Sequence, residues 1–386
     1  MRTFYGATLL LAGLSLLAAP AAYADELFHL DEELGEPFDL SDSMFGDEAD
    51  FDLGGWVQFG YHSRSTGLFN RHPDRFNNHQ TWLYLERATD GSEGLDVGGR
   101  FDLMYGVDAA DTQSFGNNPG NWDFMNGFDH GIYGWAVPQA YLEVAYGDLK
   151  VKGGHFYTLL GYEVVQAPGN FFYSHAFTQY LSEAFTHTGV LASYTVNENV
   201  TGHAGWTAGW DTGFDQFDEG SSFLGGASVT VMEDITATYI VTAGNFGAIG
   251  DGYSHSIVIS AALTDDLTYV FQSDVLHTNQ NNFGAAIPLG DTTNTVGINQ
   301  YLIYAISERL GIGGRAEWWK ADGVSYYELT AGLNIKPHAN FVIRPEIRYQ
   351  WSPSANGFSG INSVKNPVGL PVDEGAIFGI DAILVF

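Results

Sequence analysis

The chain has 386 residues, with 15 Lys and Arg against 46 Asp and Glu and a net charge of −31, yet only 16% of its residues are charged and 15% are aromatic. So much aromatic and apolar material excludes a disordered chain, and the shortage of Lys and Arg excludes nucleic-acid binding through a basic surface. With no cysteine, disulfide frameworks, thiolate zinc sites and cysteine nucleophiles are excluded as well.

Residues 1–24 read as a secretory signal peptide. Arg2 is the positive start, Leu9 to Ala18 the apolar run, and Ala22-Tyr23-Ala24 the small-residue cleavage site. The apolar run falls short of the ~20 residues that span a bilayer, and no other run of that length follows. Residues 25–52 form an acidic extension with twelve Asp and Glu and no Lys or Arg. Such a block repels itself. Leu27, Phe28, Leu30, Leu34, Phe38 and Leu40 leave two readings open, a solvated tail or a short amphipathic helix that docks.

From residue 53 to 386 apolar and polar residues alternate in segments of about ten. Segment 97–105 sets Val97, Phe101, Leu103 and Tyr105 against Gly98, Arg100, Asp102 and Met104. Segment 327–335 sets Tyr327, Leu329, Ala331, Leu333 and Ile335 against Glu328, Thr330 and Asn334. Segment 341–351 sets Phe341, Ile343, Ile347, Tyr349 and Trp351 against Arg344, Glu346, Arg348 and Gln350. Short turns at Thr89–Gly94, Gly147-Asp148, Asn197–Asn199, Met232–Asp234, Thr264–Asp266, Ser307–Arg309 and Lys336–Ala339 alternate with eight longer connections, near 63–79, 107–133, 158–186, 211–221, 246–252, 276–292, 320–325 and 352–374.

Seven turns and eight loops predict sixteen strands, with fourteen or eighteen the alternatives if a hairpin is misread. The fold class is therefore an all-β, antiparallel, up-and-down transmembrane barrel with short periplasmic turns and long extracellular loops. A barrel of sixteen strands is too wide to fill with side chains, so its polar face is expected inside and its apolar face in lipid. Tyr105, Tyr146, Trp210, Tyr253, Trp318, Tyr349 and Trp351 are the expected interface girdles. Pro138 and Pro345 fall inside strands, where bulges or strand ends are expected.

Phe386 ends the chain, with Leu384, Ala382, Ile380 and Phe378 on its face. This resembles the carboxy-terminal aromatic signal by which barrel-assembly machinery recognises outer-membrane barrels. A wider resemblance is carried by LYLERATDGSEGLDVGGRFDLMYGVDA (Leu83 to Ala109), VPQAYLEVAYGDLKVKGGHFYTLLGYEVVQAPGNFFYSHAFT (Val137 to Thr178), EAFTHTGVLASY (Glu183 to Tyr194) and AGWTAGWD (Ala204 to Asp211). These segments resemble the second group of β-barrel porins, the OmpL-like family. The resemblance implies an outer-membrane channel and transfers no substrate or pore-lining residue.

The pore-lining candidates follow from face assignment: Arg100, Asp102 and Glu143 early in the chain, and Arg315, Glu317, Glu328, Arg344, Glu346, Arg348 and Asp381 late in it. Charges on a lumen wall set ion preference; equally, Arg315 with Glu317, and Arg344 with Glu346 and Arg348, could be a cross-strand ladder that stiffens the wall. Lys150 and Lys152 are expected at the periplasmic rim. The connection 158–186 is apolar and aromatic, and its Phe171, Phe172 and Tyr173 are constriction candidates, with a subunit contact as the alternative. Asp108, Asp111, Asp123, Asp129, Asp211, Asp215, Asp218 and Glu219 are expected as an acidic rim on the outer loops.

No cofactor is implied. His155, His175 and His187 flank the aromatic loop without a nucleophile motif, so an enzyme is not expected. The expected function is passive diffusion of ions and small hydrophilic solutes, with a non-channel structural or adhesin barrel as the rival. Expected partners are outer-membrane lipid, the assembly machinery through Phe386, and small solutes or ions. A homo-oligomer is an analogy with general porins.

Overall fold

The computed structural model describes residues 34–46, 50–67, 69–279, 294–354, 358 and 372–386. The signal peptide, residues 25–33 and 47–49 of the acidic extension, and most of the connections expected near 276–292 and 352–374 lie outside the described residues. Sixteen strands form one closed antiparallel barrel. They are β1 Asp52–His62, β2 Phe76–Arg87, β3 Asp96–Gly106, β4 Gly134–Tyr146, β5 Leu149–Tyr157, β6 Thr186–Asn197, β7 Val200–Thr207, β8 Ser221–Met232, β9 Ile235–Asn245, β10 Asp251–Ala262, β11 Leu267–Thr278, β12 Asn294–Ser307, β13 Leu310–Ala321, β14 Val324–His338, β15 Phe341–Trp351 and β16 Gly375–Val385. Short helices are α1 Leu40–Phe45, α2 Ala109–Thr112 and α3 Phe177–Ser182.

Each strand pairs with its chain neighbours, and β1 closes on β16 in the register Trp56 with Val385 and Phe59 with Ala382. Gly55 and Phe386 exchange backbone hydrogen bonds of 2.8 and 2.9 Å at the seam. Closure leaves no strand edge, which is what a sheet surrounded by hydrocarbon requires.

The alternation decides which face is which. Along β4 Leu142 is 69% exposed, and Val144 and Tyr146 share its face; Phe101 on β3, Val190 on β6, Ile347 on β15 and Phe378 on β16 are exposed likewise. Aromatic residues mark the ends of this apolar band. Tyr327 stacks on Trp351 at 5.3 Å, and Trp318 Nε1 donates to Ser325 Oγ at 3.1 Å. Trp210 does not belong to that girdle: it is buried in the loop after β7, stacked 4.7 Å from Phe246.

The connection expected as a longer loop at 320–325 is a two-residue turn, Asp322-Gly323, with φ of 47° and 90°. Positive φ at both centres is what a tight hairpin of right-handed strands needs, and Asp-Gly supplies it. Near Pro138 the register between β3 and β4 shifts at Asp102/Met104. Pro345, by contrast, stays in unbroken register with β16, opposite Ile380, and the interruption falls on the β14 side.

Part of the acidic extension packs at the periplasmic rim. Asp39 caps α1, accepting from Asp42 N at 3.1 Å. Phe38 N donates to Asn340 Oδ1 and Asn340 Nδ2 donates to Phe38 O, both at 2.7 Å, so one amide side chain ties this segment to the β14–β15 turn.

Candidate functional site

The inward face is less uniformly hydrophilic than the alternation implied. Trp56, Trp82, Met104, Leu191, Leu224, Ile240, Leu276 and Trp319 point inward and are buried, in one apolar cluster with Leu160, Val165, Ala167, Phe177, Leu181 and Phe185 of the segment between β5 and β6. That segment, residues 158–185, lies inside the barrel. Its aromatic and aliphatic side chains find there the apolar surroundings that water outside could not offer.

Wall charges hold the loop's backbone. Glu317 on β13 accepts from Phe177 N and Thr178 N at 2.7 Å and from Thr178 Oγ1 at 2.6 Å. These are orphan N–H groups at the start of α3, whose first-turn donors have no partner within the helix. Glu346 on β15 accepts from Tyr173 N at 3.0 Å and Ser174 N at 3.2 Å. The arginines satisfy carbonyls. Arg315 donates to Ser174 O at 2.6 Å, Arg344 to Ala167 O at 3.0 Å and Asn170 O at 2.6 Å, and Arg348 to His175 O at 2.6 Å. A buried irregular backbone must find partners for such groups, and here the wall supplies them.

Cross-strand ion pairs exist, with partners other than those the spacing suggested. Arg315 reaches Glu328 and the loop's Glu163, each at 2.6 Å, rather than Glu317; Arg344 pairs with Asp381 at 2.5 Å rather than with Glu346; Arg348 lies 4.0 Å from Glu328. The register explains this. Arg344 stands directly opposite Asp381 across β15 and β16, whereas Glu346 is two residues along its own strand. Burial works against a charged Glu163. The Arg315 guanidinium, with His175 and the Ala176 N–H, outweighs it and holds the carboxyl down to about 2.

Two of the aromatic candidates pack side by side on β13, and the third reaches another sector of the wall. Phe171 packs over Gly311 and Gly313 of β13, and a side chain at Gly313 would collide with its ring. Phe172 lies under the Arg315 guanidinium at 5.1 Å. Tyr173 reaches β2, its hydroxyl 2.6 Å from His79 Nε2, while His79 Nδ1 is 2.9 Å from Asp108 Oδ1. Because Asp108 accepts, Nδ1 carries the proton and Nε2 accepts from Tyr173.

Below the loop, toward the periplasm, the lumen is wetter and divided. Glu86, Arg100, Glu143, Lys150 and Lys152 line β2 to β5, where Arg100 meets Glu86 and Asp102 at 2.7 Å, and both lysines lie 3.9 Å from Glu143. Ser193, Thr195, Thr201, Ser228, Thr236 and Thr238 line β6 to β9 without a charge.

Half of the expected acidic rim is not a rim. Asp108, Asp111, Asp123 and Asp211 are buried. Asp123 accepts from Ser114 N at 2.9 Å and Val137 N at 2.8 Å, and Asp211 from Phe185 N at 2.8 Å and Thr186 N at 3.0 Å; these loops need internal acceptors for their turns. Asp129, Asp215, Asp218 and Glu219 are exposed as expected. His155 and His187 each meet a threonine hydroxyl, at 2.8 and 3.0 Å, and His175 lies 3.5 Å from Glu163. The three do not converge. Sequence reasoning missed Glu163, Glu183 and His79 as anchors. The available signal was that Glu163 and Glu183 are the only acids in a loop with no Lys or Arg.

The family model described as "putative beta-barrel porin-2, OmpL-like" matches residues 50–386. The chain belongs to the OmpL-like porin family. It is an outer-membrane porin channel by that membership, and solved barrels share its fold. The trimer form of OmpT, an outer membrane protein of Vibrio cholerae, superposes with a TM-score of 0.57 at 13% identity, covering 87% of this chain and 99% of that one. A variant of the Rh. blastica porin gives 0.54 at 12% identity, with coverage of 87% and 100%. No curated protein sequence matches. Family and fold are those of a channel rather than an enzyme.

Proposed function

We propose that this porin passes ions and small hydrophilic solutes by passive diffusion, and that segment 158–186 is its constriction. The observation that carries the reading is the set of wall residues Arg315, Glu317, Arg344, Glu346 and Arg348, each of which bonds a backbone group of that segment. Asp102, Glu328 and Asp381 act in this reading as the partners that neutralise the arginines. In the wetter half, Arg100, Lys150 and Lys152 balance Glu86, Asp102 and Glu143, so the lumen presents little net charge to a solute and ion preference is weak. A homo-oligomer accords with the trimer form of the similar OmpT. A cleaved signal peptide and recognition of Phe386 by assembly machinery complete the proposed route to the outer membrane.

Deleting residues 165–180 is the test. Single-channel conductance in planar bilayers is expected to rise several-fold, with a reversal potential near zero under a salt gradient before and after. Unchanged conductance removes the constriction, and no current from well-folded protein favours a structural or adhesin barrel.

A further inference from the structure

Of the two acids in segment 158–186, Glu163 pairs with Arg315, and Glu183 forms no ion pair among the described residues. Glu183 is buried, and its Oε1 accepts from Gln272 Nε2 at 2.6 Å; the same nitrogen donates to Asp274 Oδ2, also at 2.6 Å. Asp274 is buried on β11, and its Oδ1 has no hydrogen-bond partner. Two carboxyls held by one amide nitrogen are near neighbours. Gly161, at φ +80°, lies against the Glu183 carboxyl so closely that a side chain there would collide with it.

The described groups that face the pair supply no cation for two charges. On β10 the facing group is the Ser256 hydroxyl, which also meets Gly161 N at 3.2 Å. From the loop itself comes Glu163, already paired with Arg315, and from β13 comes Glu317, already bonded to the start of α3. Among the described residues no Lys or Arg forms an ion pair with Glu183 or Asp274. Buried acids in this arrangement cannot both ionise without a large cost in desolvation and repulsion, so the pair favours keeping one proton between them.

We propose that Glu183 and Asp274 form a proton-sharing latch that holds the α3 end of the loop against β11 and frees it when the shared proton is lost, so that the pore widens as pH rises. This rests on reading the segment as the constriction.

Burial, and then Asp274, push the Glu183 carboxyl well above the usual carboxylate range. A group raised in the docked state and ordinary in the freed state favours docking fully below about 4.3. It loses that contribution as pH climbs toward the raised value. Glu163 is held at about 2, so its pairing with Arg315 is constant across that window. Asp211 clamps Phe185 and Thr186, two and three residues on from Glu183, and burial pushes it up to about 7. It is the nearest competing titration and must be separated.

The experiment is single-channel conductance from about pH 5 to about pH 9 for the unaltered porin, Glu183→Gln, Asp274→Asn and Asp211→Asn, each first shown to be a folded barrel by heat-modifiable gel mobility. The unaltered porin is expected to gain conductance severalfold with pH. Glu183→Gln and Asp274→Asn should stay at the low-pH level throughout, since an amide cannot ionise, while Asp211→Asn keeps the rise. Two results overturn the latch: no rise in the unaltered porin, or a rise unchanged in both Glu183→Gln and Asp274→Asn. If one of those variants fails to fold, the other decides. Should deletion of 165–180 open the pore while both amide variants titrate normally, the constriction stands and the latch falls; should the deletion change nothing, the constriction itself fails.

Discussion

Replacing Arg315 with Met is expected to free the loop from the wall. Arg315 is completely buried and pairs with Glu163 and Glu328 together, besides donating to Ser174 O. Methionine fills similar volume and leaves Glu163 with only His175 at 3.5 Å and Glu328 with only Arg348 at 4.0 Å. Breaking a buried pair in this way costs about 3–5 kcal/mol. The cost falls on docking more than on the barrel, whose strand ladders are untouched, so the folded barrel should persist while single-channel current becomes larger and noisier. Adding Glu163→Gln removes one of the stranded charges, and the double variant should recover part of the loss. A double-mutant cycle measures that coupling, and additive effects would mean that Arg315 and Glu163 do not act as a pair.

The second large effect concerns the opposite face. Leu142→Arg puts a guanidinium on the outward side of β4, between Gly99 of β3 and Gly153 of β5, at one of the most exposed apolar positions of the wall. A basic residue facing lipid near the bilayer midplane costs about 2–4 kcal/mol. The control is Thr238→Arg, on the lumen side of β9, where Thr238 Oγ1 lies 3.0 Å from Ser228 Oγ. There the new charge meets water, and stability should change little. Urea titration of barrels refolded into bilayers reads both. Equal losses at the two sites would contradict the assignment of faces.

How much of this was legible in the sequence follows from what each feature depends on. Strand number and inward-facing charges depend on a period of two and on turn chemistry, both local, so Arg315, Arg344, Arg348 and their neighbours could be placed on the inner face. The turn at Asp322-Gly323 was misjudged because flanking polar residues, Lys320 and Ser325, belong to the strands. Partners are another matter. Arg315 meets Glu163 across 152 positions, and nothing in either local pattern ties them together. The same holds for Glu183 with Asp274 and for Tyr173 with His79. The acids Asp108, Asp111, Asp123 and Asp211 looked like solvated surface because composition alone cannot distinguish a carboxylate facing water from one capping a buried turn. Inward Leu191, Leu224 and Ile240 broke the alternation for a related reason: they pack beneath a loop whose own apolar residues require a dry surface. An apolar loop in a barrel sequence therefore carries information about the wall opposite it.

The central claim is a lipid-faced barrel around an aqueous lumen narrowed from within. Planar-bilayer recording on the purified, folded porin tests it most directly. Discrete upward current steps of uniform size, with a larger uniform step after removal of 165–180, are the predicted result; a silent bilayer containing demonstrably folded protein, with or without that segment, would contradict it.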